Sequence, residues 1–300
     1  MRAEISATQL GEVVSHSLSK SKSGIFGHVV ASFRNSFYVR TRDDELVFLT
    51  SGQLSSPITI NLASSYNFQE LTPLDSLAMY LDDRVLVGES IAIQLASARP
   101  YQTKTPAVSR IGIKRDTLRR LAFIIGILDI DLSVLDTKGI SYSESRNFAR
   151  NVVLPLRESL SHERFERDAL ALVGLGPGFT PSGDDLLGGF LATWNTFAGV
   201  VGHTKILLRP ELLSSRTNWI SAKMLDHLQR QLLDSQLMRL MKCAALGGED
   251  DFLLASEGLL SRGHTSGLDL ATGIVIGLSL ILDIPTHTRN TESLLYQFGL

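Results

Sequence analysis

The sequence predicts an α+β protein: a β-rich, barrel- or sandwich-like N-terminal region followed by a mainly α-helical C-terminal region. Three observations predict it. Between residues 20 and 100, apolar residues rich in Val, Ile, Phe and Tyr come in short runs broken by turn residues. From Asp116 onward the apolar spacing becomes helical. Between the two lies Arg99 to Arg110, a linker-like stretch with Pro100, Pro106 and several Thr and Ser, which divides the chain into a β-rich domain, 1–110, and a helical domain, 111–300.

The β elements follow in order. "GIFGHVVASF" and "NSFYVRT" read as a hairpin around Arg34-Asn35-Ser36, and "ELVFLTS" begins after the turn signal Asp43-Asp44. "SPITINL" and "RVLVGESIAIQLA" continue the pattern, the latter with a turn at Gly88-Glu89. One helix is expected to interrupt them, Leu74 to Leu81, where apolar residues fall at helical spacing. Such short strands are those of a small barrel or sandwich.

The helical half opens with "DTLRRLAFIIGIL", which has an acid at its start and a strong apolar face. "SESRNFARNVVLPLRESL", "FERDALALVGL", "DDLLGGFLATWNTFAG", "ISAKMLDHLQRQL", "SQLMRLMKCAALGG", "DDFLLASEGLLSRG" and "GLDLATGIVIGLSLIL" follow with short connections, as in a helical layer or bundle.

Composition limits the classes of function. The chain has 300 residues, 44% hydrophobic and 20% charged, which is enough for a sizeable core. A formal charge of −2 supplies no general attraction to nucleic acid or to an anionic membrane. Lys114, Arg115, Arg119 and Arg120 form the densest basic cluster, which reads as a solvated helix start. The single cysteine, Cys243, excludes an internal disulfide and reads as a buried, inert thiol in a reducing compartment. The N-terminal residues lack the apolar core of a signal peptide, and Leu268 to Pro285 falls short of the roughly 20 apolar residues that span a bilayer. The expectation is a cytoplasmic protein.

The most informative stretch is "GLGPGFTPSGDD", Gly174 to Asp185, at the mouth of an apolar helix. Its last residues are echoed later: "SGDDLLGG" at Ser182 to Gly189 matches "SGLDLATG" at Ser266 to Gly273 at both Ser-Gly pairs, at Asp185 and Asp269, at the next Leu and at the last Gly. Helix capping explains part of this. Ser182 or Ser266 can act as N-cap with Asp185 or Asp269 reaching back, and Thr180-Pro181 fits an N-cap followed by proline. Gly273 and Gly277 are spaced for close helix approach. Capping does not explain Gly174, Gly176 and Gly178 together, each of which costs backbone entropy, nor the extra acid Asp184.

The excess points to a ligand. Glycines let successive amides converge on an anion, and the helix start adds a positive dipole end. Gly176, Gly178, Thr180, Ser182 and Gly183, with Thr265, Ser266 and Gly267 from the second copy, are the candidate anion contacts. Two acids at the same mouth would repel that anion unless a divalent cation, Mg²⁺, lay between. Asp184, Asp185 and Asp269 are therefore the candidate metal ligands. Asp184, Asp185 and His264 are the candidate catalytic groups, the histidine because its pKa suits acid–base work. Arg146 and Arg150 sit one turn apart and read as surface salt bridging, with an anion clamp as the alternative.

Other motifs fail. Gly178 and Gly183 have P-loop spacing, but Asp184-Asp185 stand where Lys and Ser/Thr are needed. There is no dinucleotide fingerprint, no His-Glu-x-x-His and no paired-cysteine metal pattern.

"GLGPGFTPSGDD" followed by "GHTSGLDLATG" resembles a bacterial family that includes a subunit of the oxamate carbamoyltransferase of anaerobic allantoin breakdown. Members usually carry Leu where this chain has Phe179. The resemblance implies a transferase role in purine catabolism, the phosphorolysis of oxalurate to oxamate and carbamoyl phosphate, alongside partner subunits of a hetero-oligomeric enzyme. It implies no assigned catalytic residues. The expected function is therefore a carbamoyltransferase-type subunit that binds a small anionic or phosphorylated metabolite at the glycine-rich loop. A regulatory or scaffolding subunit that senses a metabolite, and a stand-alone Mg-dependent nucleotide-binding enzyme or hydrolase, are the alternatives.

Overall fold

The structure is a computed structural model that describes residues 2–21, 24–52, 54–70, 78–82, 84–103, 108–125, 162–176, 178–263 and 265–283. The chain forms two compact units. One contains Met1–Lys104 and Leu232–Ser235; the other contains Thr105–Gln231 and Gln236–Leu300.

Among the described residues the first unit is built on nine strands: β1 (Ala3–Gly11), β2 (Gly24–Phe33), β3 (Ser36–Thr41), β4 (Leu46–Thr50), β5 (Thr59–Leu62), β6 (Ala78–Asp82), β7 (Val85–Val87), β8 (Ile91–Gln94) and β9 (Arg99–Tyr101). They are ordered β5-β4-β3-β2-β6-β7-β8-β1-β9, and a further β1–β5 pairing closes β1 to β8 into an eight-stranded barrel. Closure removes the open edges that would otherwise expose unpaired amides. Strand β1 is the seam. It runs parallel to β8 from Ala3↔Ile91 to Ser6↔Gln94, and antiparallel to β5 at Leu10↔Ile60. β2 and β3 form the expected hairpin, with Phe33 opposite Ser36 across a two-residue turn. A short helix, α1 (Glu12–Lys20), follows β1 and buries Val14. The barrel core gathers Phe26, Val39, Leu49, Ile60, Met79, Leu86 and Ile93, with the rings of Phe37 and Phe68 5.0 Å apart.

Two sequence expectations are corrected here. The helix expected over Leu74–Leu81 is not formed in its described part: Ala78–Asp82 is strand β6, paired with β2 and β7. Residues 71–77 lie outside the described residues. Met79 points into the core while Tyr80 is exposed, the period of a strand. In so short an apolar run the two periods are hard to separate, and barrel pairing decides. The linker expected from Arg99 begins as strand β9, parallel to β1 with Leu10 opposite Pro100. A proline fits there because β9 is an edge strand. The segment 232–235 returns to this unit: Ser235 N donates to Ser55 O at 2.8 Å, and the Tyr101 hydroxyl donates to Leu233 O at 3.3 Å.

The second unit is helical: α2 (Arg115–Ile124), α3 (His162–Ala169), α4 (Ser182–Phe197), α5 (Pro210–Ser214), α6 (Trp219–Gln229), α7 (Ser235–Leu246, whose first residue belongs to the other unit), α8 (Glu249–Leu260) and α9 (Ser266–Asp283). Helix α4 is buried nearly all round, so it is a central helix rather than an amphipathic surface one. It packs chiefly against α9, and also against α6. Phe165, Phe190 and Trp194 form a stacked row, with centroid separations of 6.0 and 6.3 Å. Asn195 on α4 ties the loop at Ile206 to the end of α6: its side chain donates to Ile206 O and Gln229 O, each at 2.7 Å, and accepts from Ile206 N at 2.7 Å. Among the described residues, no helix is long and apolar enough to cross a membrane.

The α4–α9 contact is reciprocal. A Cβ on Gly189 would lie 2.1 Å from Leu270 O, and one on Gly273 would lie 1.9 Å from Leu186 O. These four residues hold equivalent places in the two Ser-Gly-x-Asp-Leu-x-x-Gly copies. Gly183 and Gly267 also correspond: their added Cβ atoms would meet Leu172 O at 2.0 Å and Leu259 O at 2.1 Å. The repeated motif is therefore a pair of helix starts related by an approximate two-fold exchange.

Candidate functional site

The loop before α4 uses its glycines for backbone geometry. Gly174, Gly176 and Gly178 have φ of +80°, +94° and +119°, values that side chains with a Cβ rarely adopt. Gly174 also abuts the backbone, since its Cβ would sit 2.1 Å from Arg216 O. The chain then turns into α4 through Pro181, which is the N-cap and makes no side-chain capping bond. This corrects the capping expectation: neither Thr180 nor Ser182 caps the helix. Ser182 is its first residue, and the Thr180 hydroxyl is directed to Asp185 instead, at 2.9 Å.

The two adjacent acids have different partners. Asp184 is 2% exposed, and both of its oxygens accept hydrogen bonds. Oδ1 accepts from Gly174 N at 2.8 Å. Oδ2 accepts from the hydroxyls of Thr217 and Ser221. Asp184 thus clamps the glycine loop to the start of α6. Asn218 completes that clamp: it caps α6 by accepting from Ser221 N at 3.0 Å and donates to Phe179 O at 2.9 Å. Sequence reasoning passed over Thr217, Asn218 and Ser221. The N-cap signal of an Asn before "WISAKML" was present, but nothing local indicates that the cap meets a loop so far back in the chain.

Asp185 is half-buried and lies where the two motif copies meet. Thr180 Oγ1 is 3.1 Å from Ser266 Oγ, which joins the copies directly. Burial pushes the Asp185 carboxyl up to about 7; the Ser266 and Thr180 hydroxyls pull against this, while the charges of Asp269 and Asp184 add to it. Asp269, its equivalent on α9, is pushed up to about 6 by burial, opposed by the Ser182 and Thr265 hydroxyls. Each aspartate therefore has beside it the serine of the other copy: Ser266 near Asp185, and Ser182 near Asp269. The exchange is imperfect. Ser182 Oγ and Asp269 Oδ2 are both buried, and neither completes a hydrogen bond. The residues themselves are 1% and 7% exposed. Such buried polar atoms ordinarily find partners.

The site thus gathers Thr180, Ser182, Asp185, Thr265, Ser266 and Asp269. Gly183 and Gly267, expected as anion contacts, have their amides bonded to Leu175 O at 2.9 Å and Arg262 O at 3.1 Å. The three aspartates expected as one metal set do not form one: among the described residues, no three His, Cys, Asp or Glu side chains come together to hold an ion. Two carboxyls remain for any cation. His264, Arg146 and Arg150 lie outside the described residues. Cys243, expected to be buried, is half-buried; burial raises its thiol pKa, as does Asp251, against Arg239. That keeps it in the unreactive thiol form.

Residues 172–278 match the family model of the oxamate carbamoyltransferase subunit AllH. The match covers both motif copies, all of α4 and most of α9, and it is the family that the motifs resemble. No curated protein and no solved structure matches the chain.

Proposed function

We propose that this chain is a subunit of an oxamate carbamoyltransferase, acting with partner subunits in allantoin degradation, and that its ligand site lies at the paired starts of α4 and α9. The family match supports the enzyme class. The observation that carries the site is the meeting of the Thr180 hydroxyl, just before the first motif copy, with the Ser266 hydroxyl of the second, beside Asp185.

In this reading the substrate is a small anionic metabolite. Its negative end is received by the loop around Gly176 and Gly178 at the positive end of α4. The residues present do not fit Mg²⁺: the oxygens of Asp184 already accept protein donors, and among the described residues no three acidic, histidine or cysteine side chains come together to hold an ion, so no metal enters the step. For oxalurate the reaction joins a phosphate oxygen to the carbamoyl carbon and breaks the bond from that carbon to nitrogen. The electron pair stays on nitrogen, which takes a proton and leaves as the amide of oxamate. Asp185, held near neutrality by burial, supplies that proton and recovers one from the incoming hydrogen phosphate.

The test is reconstitution with the partner subunits and measurement of carbamoyl phosphate formed from oxalurate and phosphate. Asp185→Asn is expected to lower kcat by about 100-fold or more, the usual worth of a positioned acid. Failure of the assembled wild-type complex to form carbamoyl phosphate refutes the assignment. Undiminished kcat in the variant refutes the role of Asp185.

A further inference from the structure

We infer that Asp269 and Ser182 recognise the neutral carboxamide or ureido group of the substrate, taking its N–H at Asp269 Oδ2 and its carbonyl oxygen at the Ser182 hydroxyl, while anionic groups are held outside this pair. The inference deepens the site reading above and rests on it.

The argument begins with what is missing a partner. Asp269 Oδ2 and Ser182 Oγ are buried, and although the Ser182 hydroxyl lies near enough to Asp269 to lower its pKa, neither atom completes a hydrogen bond. Leaving such groups unmatched is unfavourable, so the pair is suited to a ligand that supplies both bonds. An acceptor beside a donor is the complement of an amide, which offers one N–H and one C=O.

Charge points the same way. No lysine or arginine is among the groups that perturb Asp185 or Asp269. Neither carboxyl makes an ion pair among the described residues. A phosphate or carboxylate placed here would face two acids with no cation to offset them. An uncharged N–H donor meets no such repulsion. The raised pKa values agree, since burial with neutral hydroxyl neighbours describes a site built for uncharged partners. Thr180 and Ser266 are engaged around Asp185, whereas Ser182 Oγ and Asp269 Oδ2 complete no hydrogen bond.

The test compares oxamate with oxalate, which differ in one carboxamide against one carboxylate. Binding of each to the full-length chain, and to its complex with the partner subunits, is measured by calorimetry at pH 8. Oxamate is expected to bind at least about tenfold tighter, because a site that hydrogen-bonds an N–H rejects an analogue lacking it. Asp269→Asn, which replaces the acceptor with an amide of the same shape, is expected to bring the ratio near one. Ser182→Ala is expected to weaken oxamate and leave oxalate unchanged; thermal melts establish that both variants are folded. Three results overturn the inference: oxalate or phosphate binding as tightly as oxamate, Mg²⁺ alone binding in a manner that Asp269→Asn abolishes, or no oxamate binding to either chain or complex. The readout is separable from the enzyme assignment. A complex that forms carbamoyl phosphate while Asp269→Asn keeps the oxamate preference defeats this inference alone. A preference without turnover defeats the assignment alone.

Discussion

Asp184 and Asp185 are neighbours in the chain, yet one carboxylate is clamped by Gly174, Thr217 and Ser221 while the other is held by Thr180 beneath the second motif copy. One turn of helix start therefore serves two purposes. Asp184 fixes the loop. Asp185 faces the place where the two copies meet.

Conservative replacements should separate the two. Asp184→Asn puts an amide where three donors converge, and is expected to destabilise the protein by about 3 kcal/mol. Asp185→Asn removes a carboxyl that burial already disfavours in its charged form, and is expected to raise stability at pH 8. Urea unfolding of both variants checks the pair. Equal losses at the two positions would contradict the division of roles.

Stability should fall as pH rises from about 4 to 7. The Asp185 carboxyl holds its proton up to about 7 when folded, against an ordinary value of 3.8, and Asp269 holds its own up to about 6. Between the unfolded and folded values the folded state binds more protons, so this contribution is complete at low pH and is lost as pH passes through the folded values. The expected outcome is a melting temperature that declines across this window in the wild type and declines less in Asp185→Asn. A rising or flat wild-type profile would remove the case for two acids whose pKa values are raised by burial.

Close packing of α4 on α9 makes its own prediction. Gly189→Ala and Gly273→Ala place a Cβ about 2 Å from a carbonyl oxygen of the facing helix. Each is expected to cost at least about 1–3 kcal/mol, because the two backbones must separate. By the two-fold exchange the losses should be alike. Gly199→Ala, where an added Cβ meets nothing within 4 Å, is the control and should be near neutral.

Asn195 supports the far end of α4. Asn195→Ala leaves two carbonyls and one amide, of the Ile206 loop and the end of α6, without their partner in a buried place. A loss of about 3 kcal/mol is expected by chemical denaturation. A loss below about 1 kcal/mol would mean that these groups re-pair without it.

The two regions, the β2–β3 hairpin and the need for left-handed glycines at 174, 176 and 178 were legible in the sequence. Those features are local: alternation, a two-residue turn, and the surplus of glycine each follow from the backbone of a few neighbouring residues. Leu74–Leu81 shows where local reasoning ends. Its apolar spacing fits a helix, but the demand of β2 and β7 for a partner made Ala78–Asp82 a strand. The echo of Ser-Gly-x-Asp was also readable, as was the presence of acids and hydroxyls in each copy.

Which of those groups would act together was decided by the tertiary structure alone. The repeat sets Asp185 apart as the counterpart of Asp269, but the order of residues does not say what either acid contacts, because a helix start sends consecutive side chains in different directions and only the surrounding packing supplies each with partners. The pairing of Gly189 with Leu270, and of Gly273 with Leu186, arises from helices 84 residues apart in sequence meeting at contact distance, since Thr180 and Ser266, 86 apart, meet at the same end. Chain order specifies residue types and short-range geometry. Proximity across the core, and with it desolvation and unmatched hydrogen-bonding groups, exists only once the chain has packed.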